Sequence, residues 1–339
     1  MKRIVLTTVL DKYARDYLAD LRSLRDKPEA RLIRLHADLI NAGLNNYADY
    51  VNVIHQYYSD IITATPDQML NSISQHFARF QTMNLSSNLQ LFVTAADGSQ
   101  RQVAKKFYIL VTEALGYNDV QEKVFPKYIK KMGIKSCVYC NAQYAVAARR
   151  GKTARGKSFM STYTLDHYMP KSDFPYLASS FFNLYPCCST CNQFKSNKAP
   201  IFELYVKPTD SLEKRNPFTF HLDKHSFIKY SMSGDPSDLN VSLVTNTGIP
   251  TQELDNFENC FHLSMLYTNY NDTVEEVIWK YRMYNKAGRK ALQDAFSSIL
   301  PHQTDFNRFI LGNYDREEDL QKRPLAKLVQ DVARQLGIL

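Results

Sequence analysis

The chain has 339 residues, of which 44% are hydrophobic and 22% charged, a composition typical of a globular protein with a sizeable core and two or three domains. No apolar run approaches the roughly 20 residues that a membrane-spanning helix needs, and the first residues lack a signal-peptide cleavage site, so we expect a cytoplasmic protein. The formal net charge of +8 permits a polyanionic partner such as nucleic acid without identifying one.

Helical periodicity dominates the first part of the chain, where apolar residues recur at spacings of three and four. Asp97-Gly98 marks a turn, and the pattern from Val103 to Leu115 predicts a helix closed by Gly116. We therefore predict a helical N-terminal domain over residues 1–125 that carries no chemical motif.

The character of the sequence changes in residues 126–215, where cysteines, prolines and short β-like runs replace helical periodicity. This is the candidate catalytic module. Beyond it, Phe218–His221 and Val241–Val244 predict strands, after which helical patterns return, so residues 216–339 form a mixed and then helical C-terminal region. The predicted fold class is α+β, with mainly helical flanking domains around the central module.

Five of the six cysteines cluster in this module, which favours a metal site over a disulfide framework. Cys137 and Cys140 form one Cys-x-x-Cys pair, and Cys188 and Cys191 form another. Each pair can offer two thiolates to one tetrahedral Zn²⁺, so we predict a structural zinc site. Cys187 could replace Cys188 as a ligand, although only Cys188 gives the usual spacing. The alternative to a zinc site is four buried cysteines without metal.

Residues suited to phosphodiester hydrolysis lie between and just after these pairs. Asp166 supplies a carboxylate, His167 an imidazole that titrates near neutral pH, and Asn183 and Asn192 supply carboxamides. One Asp oxygen and one Asn oxygen, together with phosphate oxygens and water, would satisfy a hard cation such as Mg²⁺. An Asp-His dipeptide alone is more often an ordinary surface feature, and it is the position between the cysteine pairs that favours chemistry.

The segment from Cys137 to Lys198, with the string DHYMPKSDFPYLASSFFNLYPCCSTCNQFKSNK, resembles the HNH, or His-Me finger, endonuclease family. The resemblance implies a ββα-metal module held by a four-cysteine zinc site. It implies that Asp166 and Asn192 bind a catalytic Mg²⁺ or Mn²⁺, that His167 is the general base, and that Asn183 steadies the hairpin and the base. The last position is commonly His in this family, and Asn192 there leaves the metal's identity open. The products would carry 5′-phosphate and 3′-hydroxyl ends.

A run of basic residues without any acidic residue between Glu122 and Asp166 is the strongest charge asymmetry in the chain. Such a run is usually a solvated surface, but its position beside the predicted site favours contacts with a phosphate backbone. The residues predicted to bind nucleic acid are Arg149, Arg150, Lys152, Arg155, Lys157, Lys171, Lys195 and Lys198.

Three hypotheses follow from these patterns. The first is a metal-dependent endonuclease acting on DNA, with RNA not excluded; the second is a catalytically inactive zinc-ribbon adaptor that binds nucleic acid; the third is a scaffold in which the zinc module joins two helical domains. Asp166, His167 and Asn192 favour the first, because a purely structural ribbon does not need them.

The flanking regions resemble bacterial HNH proteins of anti-phage systems, including the nuclease subunits of Septu-type and retron-associated assemblies. This weaker resemblance implies a role in phage defence and a partner ATPase.

Overall fold

The computed structural model describes residues 1–149, 159–284 and 286–339 of the chain. Helices carry most of the fold, and the strands of the described residues form five separate two-stranded sheets. The predicted α+β class is confirmed at this level, since small sheets are interspersed with helices rather than alternating with them in βαβ units.

The N-terminal region is mainly helical and also contains strands. Helix α1 begins after Thr7, whose hydroxyl accepts a hydrogen bond from the backbone N–H of Leu10, and it buries Tyr17 and Leu21 completely. The elements of this region are β1 (Ile4–Val5), α1 (Thr8–Arg22), α2 (Pro28–Asn41), α3 (Asn45–Gln56), α4 (Tyr58–Thr63), α5 (Pro66–Gln68), a π-helical turn (Met69–Ile73), α6 (Ser74–His76) and a 3₁₀ turn (Ala78–Phe80).

The prediction of one helix from Val103 to Leu115 is wrong in its first part. Strand β2 (Asn88–Thr94) turns at Asp97-Gly98, as predicted, and pairs in antiparallel fashion with β3 (Gln100–Lys106). The ladder pairs Val103 with Leu91. Val103 is half-buried, whereas its neighbours Gln102 and Ala104 are exposed, as expected for side chains on opposite faces of a strand. Only then does helix α7 (Phe107–Ala114) begin. After Gly116, at φ 74°, come α8 (Tyr117–Asp119), a π-helical turn (Val120–Val124) and α9 (Phe125–Lys131).

The central region contains an antiparallel hairpin followed by a short helix. Strand β6 (Thr164–His167) pairs with β7 (Leu184–Cys187) so that Asp166 lies opposite Tyr185, and α10 (Ser189–Lys195) follows at once and packs on β6. The other elements here are β4 (Ala147–Arg149), β5 (Phe159–Ser161), 3₁₀ turns at Pro175–Leu177 and Phe181–Asn183, β8 (Tyr205–Val206) and α11 (Leu212–Arg215).

The C-terminal region begins with the two predicted strands, β9 (Phe218–Leu222) and β10 (Val241–Thr245), which pair in antiparallel fashion. The last helix packs on β9, where the carboxylate of Asp331 accepts a hydrogen bond from the backbone N–H of Phe220 at 2.8 Å. The helices of the C-terminal region are α12 (Lys224–Ser233), α13 (Thr251–Phe261), α14 (Leu263–Tyr267), α15 (Asn271–Met283), α16 (Lys286–Ala295), α17 (Gln303–Leu311) and α18 (Ala326–Gln335), with 3₁₀ turns at Pro236–Asp238, Thr268–Tyr270 and Glu317–Lys322.

Buried apolar side chains from all three regions form one continuous cluster. The domain boundaries after residues 125 and 215 stay a prediction, and contacts cross both: β1 pairs with β8 in parallel across the first, and the Tyr267 hydroxyl donates to the Cys140 carbonyl at 2.6 Å across the second. Among the described residues, no helix combines the length and the apolarity needed to cross a membrane.

Candidate metal centre and catalytic cleft

The two Cys-x-x-Cys pairs come together as predicted. The Sγ atoms of Cys137, Cys140, Cys188 and Cys191 all lie within 4.8 Å of one another, and all four residues are buried. Cys187 is not part of this cluster, since its thiol points to Thr164, with 3.5 Å between Sγ and Oγ1. The alternative of Cys187 as a ligand is therefore excluded, and we call the four residues the sulfur cluster.

The dimensions of the sulfur cluster fit one tetrahedral Zn²⁺. Zinc–sulfur bonds near 2.3 Å place sulfur atoms about 3.8 Å apart in a tetrahedron, and the Sγ atoms of Cys140 and Cys188 are 4.0 Å apart. The backbone N–H groups of Ala142 and Cys191 donate to Cys140 and Cys188 at 3.4 and 3.5 Å. Such bonds orient thiolates toward a shared ion. Four buried cysteines so arranged can hold zinc.

The C-terminal region fixes the first Cys-x-x-Cys pair, the segment from Cys137 to Cys140, which we call the first knuckle; the second knuckle is the segment from Cys188 to Cys191. Asn141, which follows Cys140 and adopts φ 53°, is completely buried. Its side chain donates to the Leu320 carbonyl at 3.1 Å and accepts from the Lys327 backbone N–H at 3.0 Å, while the Tyr267 hydroxyl donates to the Cys140 carbonyl at 2.6 Å. The knuckle therefore depends on residues far along the chain.

A cleft of about 390 Å³ is lined by Asp166, His167 and Asn192, and Asn192 directly follows Cys191 of the sulfur cluster. The first two come from β6 and the third from α10, so the packing of α10 on β6 brings the three side chains to one opening. The remaining wall is mostly polar and includes Tyr117 and Lys171. Carboxylate and carboxamide oxygens are the ligands that Mg²⁺ prefers, so this donor set fits a hard divalent cation.

The imidazole of His167 is held in one tautomer. Its Nε2 lies 2.9 Å from the Ala178 carbonyl oxygen, which can only accept, so Nε2 carries the proton and Nδ1 keeps its lone pair. The Tyr117 ring packs against the imidazole with 4.8 Å between centroids. Burial, and then the charge of Lys171, lower the pKa of His167 to about 3. The ring is thus neutral at physiological pH and able to accept a proton.

The carboxylate of Asp166 is buried and already has two partners on one oxygen. Its Oδ2 accepts a hydrogen bond from the Tyr139 hydroxyl at 2.6 Å and lies 3.8 Å from the Lys195 ammonium. Burial raises the pKa of Asp166, whereas the charge of Lys195 and the hydrogen bond from Tyr139 lower it. Burial has the larger effect, so the pKa of Asp166 lies above its ordinary value and these partners offset the loss of water only in part.

Asn183 closes the loop between β6 and β7. It is completely buried; its Oδ1 accepts from the Met169 backbone N–H at 2.7 Å, and its Nδ2 donates to the carbonyls of Met169 and Leu177 at 3.2 and 2.9 Å. The Leu177 carbonyl is one residue from the Ala178 carbonyl that holds His167. Asn183 does not line the cleft, and its contacts suit the steadying role expected for it.

The predicted nucleic-acid-binding residues fall into separate groups. Lys171 lines the cleft, its Nζ 5.1 Å from the Tyr117 ring centre, and Lys198 is exposed beyond α10. Lys195 differs from its prediction, because its side chain is 1% exposed and its ammonium donates to the His167 carbonyl at 3.1 Å. Arg150, Lys152, Arg155 and Lys157 lie outside the described residues, as does the side chain of Arg149.

Part of the basic run that precedes the first knuckle is neutralised. Lys123, Lys127 and Lys131 lie 2.6, 2.8 and 3.6 Å from the carboxylates of Asp119, Asp20 and Asp16. The positive charge of these lysines is therefore balanced locally, away from the cleft.

Two residues of the site, Tyr139 and Tyr117, are not predicted by the sequence patterns. Tyr139 lies inside the first knuckle, and Tyr117 donates its hydroxyl hydrogen to the Leu165 carbonyl at 3.1 Å. The position of Tyr139 between two ligand cysteines is a signal, but its orientation toward Asp166 depends on how the knuckle packs.

Comparison of the chain with protein-family models, with curated proteins and with solved structures gave no match. The resemblance to the HNH family therefore depends on the quoted motif and on local geometry.

Proposed function

We propose that the chain is a metal-dependent endonuclease of the HNH type that hydrolyses phosphodiester bonds of DNA. One observation carries the proposal: Asp166, His167 and Asn192 line a single open cleft on a hairpin-and-helix unit, beside a buried sulfur cluster. Closed sulfur sites are typical of structural zinc, whereas an open cleft with oxygen donors leaves room for a substrate.

The cation would be held by the side-chain oxygens of Asp166 and Asn192 and would supply charge to stabilise the attacked phosphate and the leaving oxygen. His167 acts as the general base. A water molecule gives its proton to Nδ1 while its oxygen attacks phosphorus; the bond to the 3′ oxygen breaks in line with the attack, and the 3′ oxygen leaves with the bonding electron pair and takes a proton from solvent. The negative phosphate would raise the pKa of the imidazole when it binds, because an opposite charge favours the protonated ring.

The loop beyond β6 holds the base in place during this step. The Ala178 carbonyl accepts from Nε2, and Asn183 fixes the loop that presents this carbonyl. Lys171, at the cleft, would attract the phosphate backbone, which contributes affinity without sequence specificity.

The test is a plasmid-nicking assay with Mg²⁺ or Mn²⁺ that compares the wild-type protein with His167→Ala. Removing a general base lowers rates by about 10² to 10⁴-fold, so nicking by the variant should be barely detectable. Equal nicking by both proteins, or none by either, would contradict the proposal. Zinc content should be the same in both, since His167 is not in the sulfur cluster.

A catalytically inactive zinc-ribbon adaptor is the second candidate, and the proximity of Lys195 to Asp166 favours it. An ammonium 3.8 Å from the carboxylate provides a positive charge where the nuclease needs a cation. This candidate predicts DNA binding without cleavage by both proteins. Phage defence with a partner ATPase stays a prediction from resemblance, and co-purification from the native operon would test it.

A further inference from the structure

Tyr139 connects the two candidate sites. It lies between Cys137 and Cys140 in the first knuckle, and its side chain is 1% exposed. The ring is stacked on Phe261 with 4.5 Å between centroids, which fixes its direction. The hydroxyl therefore reaches across to β6 and donates to Asp166.

Lys195 approaches the same carboxylate oxygen from α10. Its ammonium is held by the His167 carbonyl at 3.1 Å and stops 3.8 Å from Oδ2 of Asp166, a distance longer than a hydrogen bond. The Tyr139 hydroxyl, at 2.6 Å, is the closer partner of that oxygen. Asp166 is thus ion-paired with a buried lysine at a distance too long for a direct hydrogen bond.

We infer that Tyr139 is a positioning residue that keeps this ion pair from closing into a direct hydrogen bond between Lys195 and Asp166, so that the carboxylate is available to a divalent cation. This inference rests on the proposed function, because it concerns the cation of the same cleft. Without the hydroxyl, the carboxylate would rotate onto the ammonium, since the Tyr139 hydrogen bond that competes for Oδ2 would be gone and a charge-assisted hydrogen bond to Lys195 would replace it. The cation would then have to displace Lys195.

A consequence is that the cation affinity of the cleft depends on the integrity of the sulfur cluster. The Tyr139 backbone lies between two of the cluster's ligands, so a disordered knuckle would withdraw the hydroxyl from Asp166. Loss of zinc would weaken cation binding at the cleft even if the hairpin itself remained folded.

The test is Mn²⁺ binding by the full-length zinc-loaded protein, measured from the electron paramagnetic resonance signal of free Mn²⁺ in the absence of nucleic acid. The wild-type protein should bind one Mn²⁺ that Asp166→Ala loses. Removing partners that orient a metal ligand costs about 10 to 100-fold in affinity, so Tyr139→Phe should weaken binding by at least tenfold. Zinc content, measured by atomic absorption, should not change.

Tyr185→Phe is the matched control. Tyr185 is a buried tyrosine directly opposite Asp166 in the hairpin, but its hydroxyl accepts from the Leu204 backbone N–H at 3.0 Å. Its removal should leave Mn²⁺ binding as in the wild type. The double variant Tyr139→Phe/Lys195→Met should recover most of the lost affinity, because the competing ammonium is gone.

The outcomes separate the two proposals. A wild-type protein that binds no Mn²⁺ overturns the proposed cation site and this inference with it. Wild-type binding that Tyr139→Phe leaves unchanged overturns the inference alone. Should Tyr139→Phe lose zinc or fail to fold, Lys195→Met alone decides: tighter Mn²⁺ binding supports competition between lysine and cation, and unchanged binding overturns it.

Discussion

The sulfur cluster and the cleft share α10, yet they differ in how far the protein completes them. Around the sulfur cluster, backbone N–H groups, a buried asparagine and a tyrosine hydroxyl make hydrogen bonds to the two knuckles or from them, and all four ligands are buried. The cleft, in contrast, is an open space lined by His167 and Asn192 and large enough for several water molecules. The comparison shows how one small unit can separate stability from chemistry.

The largest expected effect concerns the sulfur cluster, whose four ligands are buried. Cys191→Ser should lower the zinc content to well below one ion per chain. It should also lower the melting temperature by about 10 °C or more, because binding to a structural zinc site is part of the folding free energy. Atomic absorption and calorimetry measure both quantities. Cys260→Ala is the control: Cys260 lies outside the sulfur cluster, so this variant should keep its zinc.

Two asparagine variants distinguish a residue that stabilises the fold from a residue proposed to act in catalysis. Asn183→Ala removes a completely buried side chain with three hydrogen bonds, so the free energy of unfolding should fall by about 3 kcal/mol. Asn192→Ala, at the cleft, should change it by less than about 0.5 kcal/mol while abolishing metal-dependent nicking. Urea denaturation measures the first effect, and equal losses of stability in both variants would contradict the assignment.

The buried imidazole makes stability depend on pH. The folded-state pKa of His167, about 3, lies below the ordinary value of 6.5, so the unfolded chain binds the proton more readily. The stability contribution is complete above pH 6.5 and is lost as pH falls toward 3, amounting to about 2 kcal/mol lost by pH 5. Denaturation of the wild type and of His167→Gln at pH 7.5 and 5 should show a shallower decrease in the variant. Parallel decreases would show that His167 does not titrate in this way.

The smallest expected effect concerns the open side. Lys171→Ala should weaken DNA binding uniformly across sequences and reduce the slope of log K against log salt by about 0.9, the value for one phosphate contact. Lys123→Ala is the matched control, because its ammonium is paired with Asp119 at 2.6 Å. Fluorescence anisotropy at several salt concentrations measures both slopes, and identical slopes would remove Lys171 from the interface.

Sequence patterns predict the local features well and the long-range ones poorly. Two Cys-x-x-Cys pairs, a turn at Asp97-Gly98 and the strands β9 and β10 are encoded within a few neighbouring residues, and the structure contains all of them. The last residues of β3, from Val103 to Lys106, are mistaken for helix because they run directly into the apolar sequence of α7, and only pairing with β2 shows that they are strand.

The environment of Asp166 cannot be predicted from spacing. A lysine is rarely buried unless it is paired, so the sequence places Lys195 at the surface. Its burial follows from the packing of α10 on β6, and the contact of Tyr139 with Asp166 follows from the fold of the knuckle. Neither contact leaves a periodic signature, because each joins residues whose separation along the chain has no fixed relation to their distance in space.

The hydrogen bonds of Asn141 have a consequence for biosynthesis. Its partners Leu320 and Lys327 follow it by 179 and 186 residues, so a nascent chain cannot complete the first knuckle until the ribosome has made nearly all of the described C-terminal region. A prematurely terminated product would lack these partners. Translation itself would thereby delay completion of the first knuckle until residues 320 to 327 have left the ribosome.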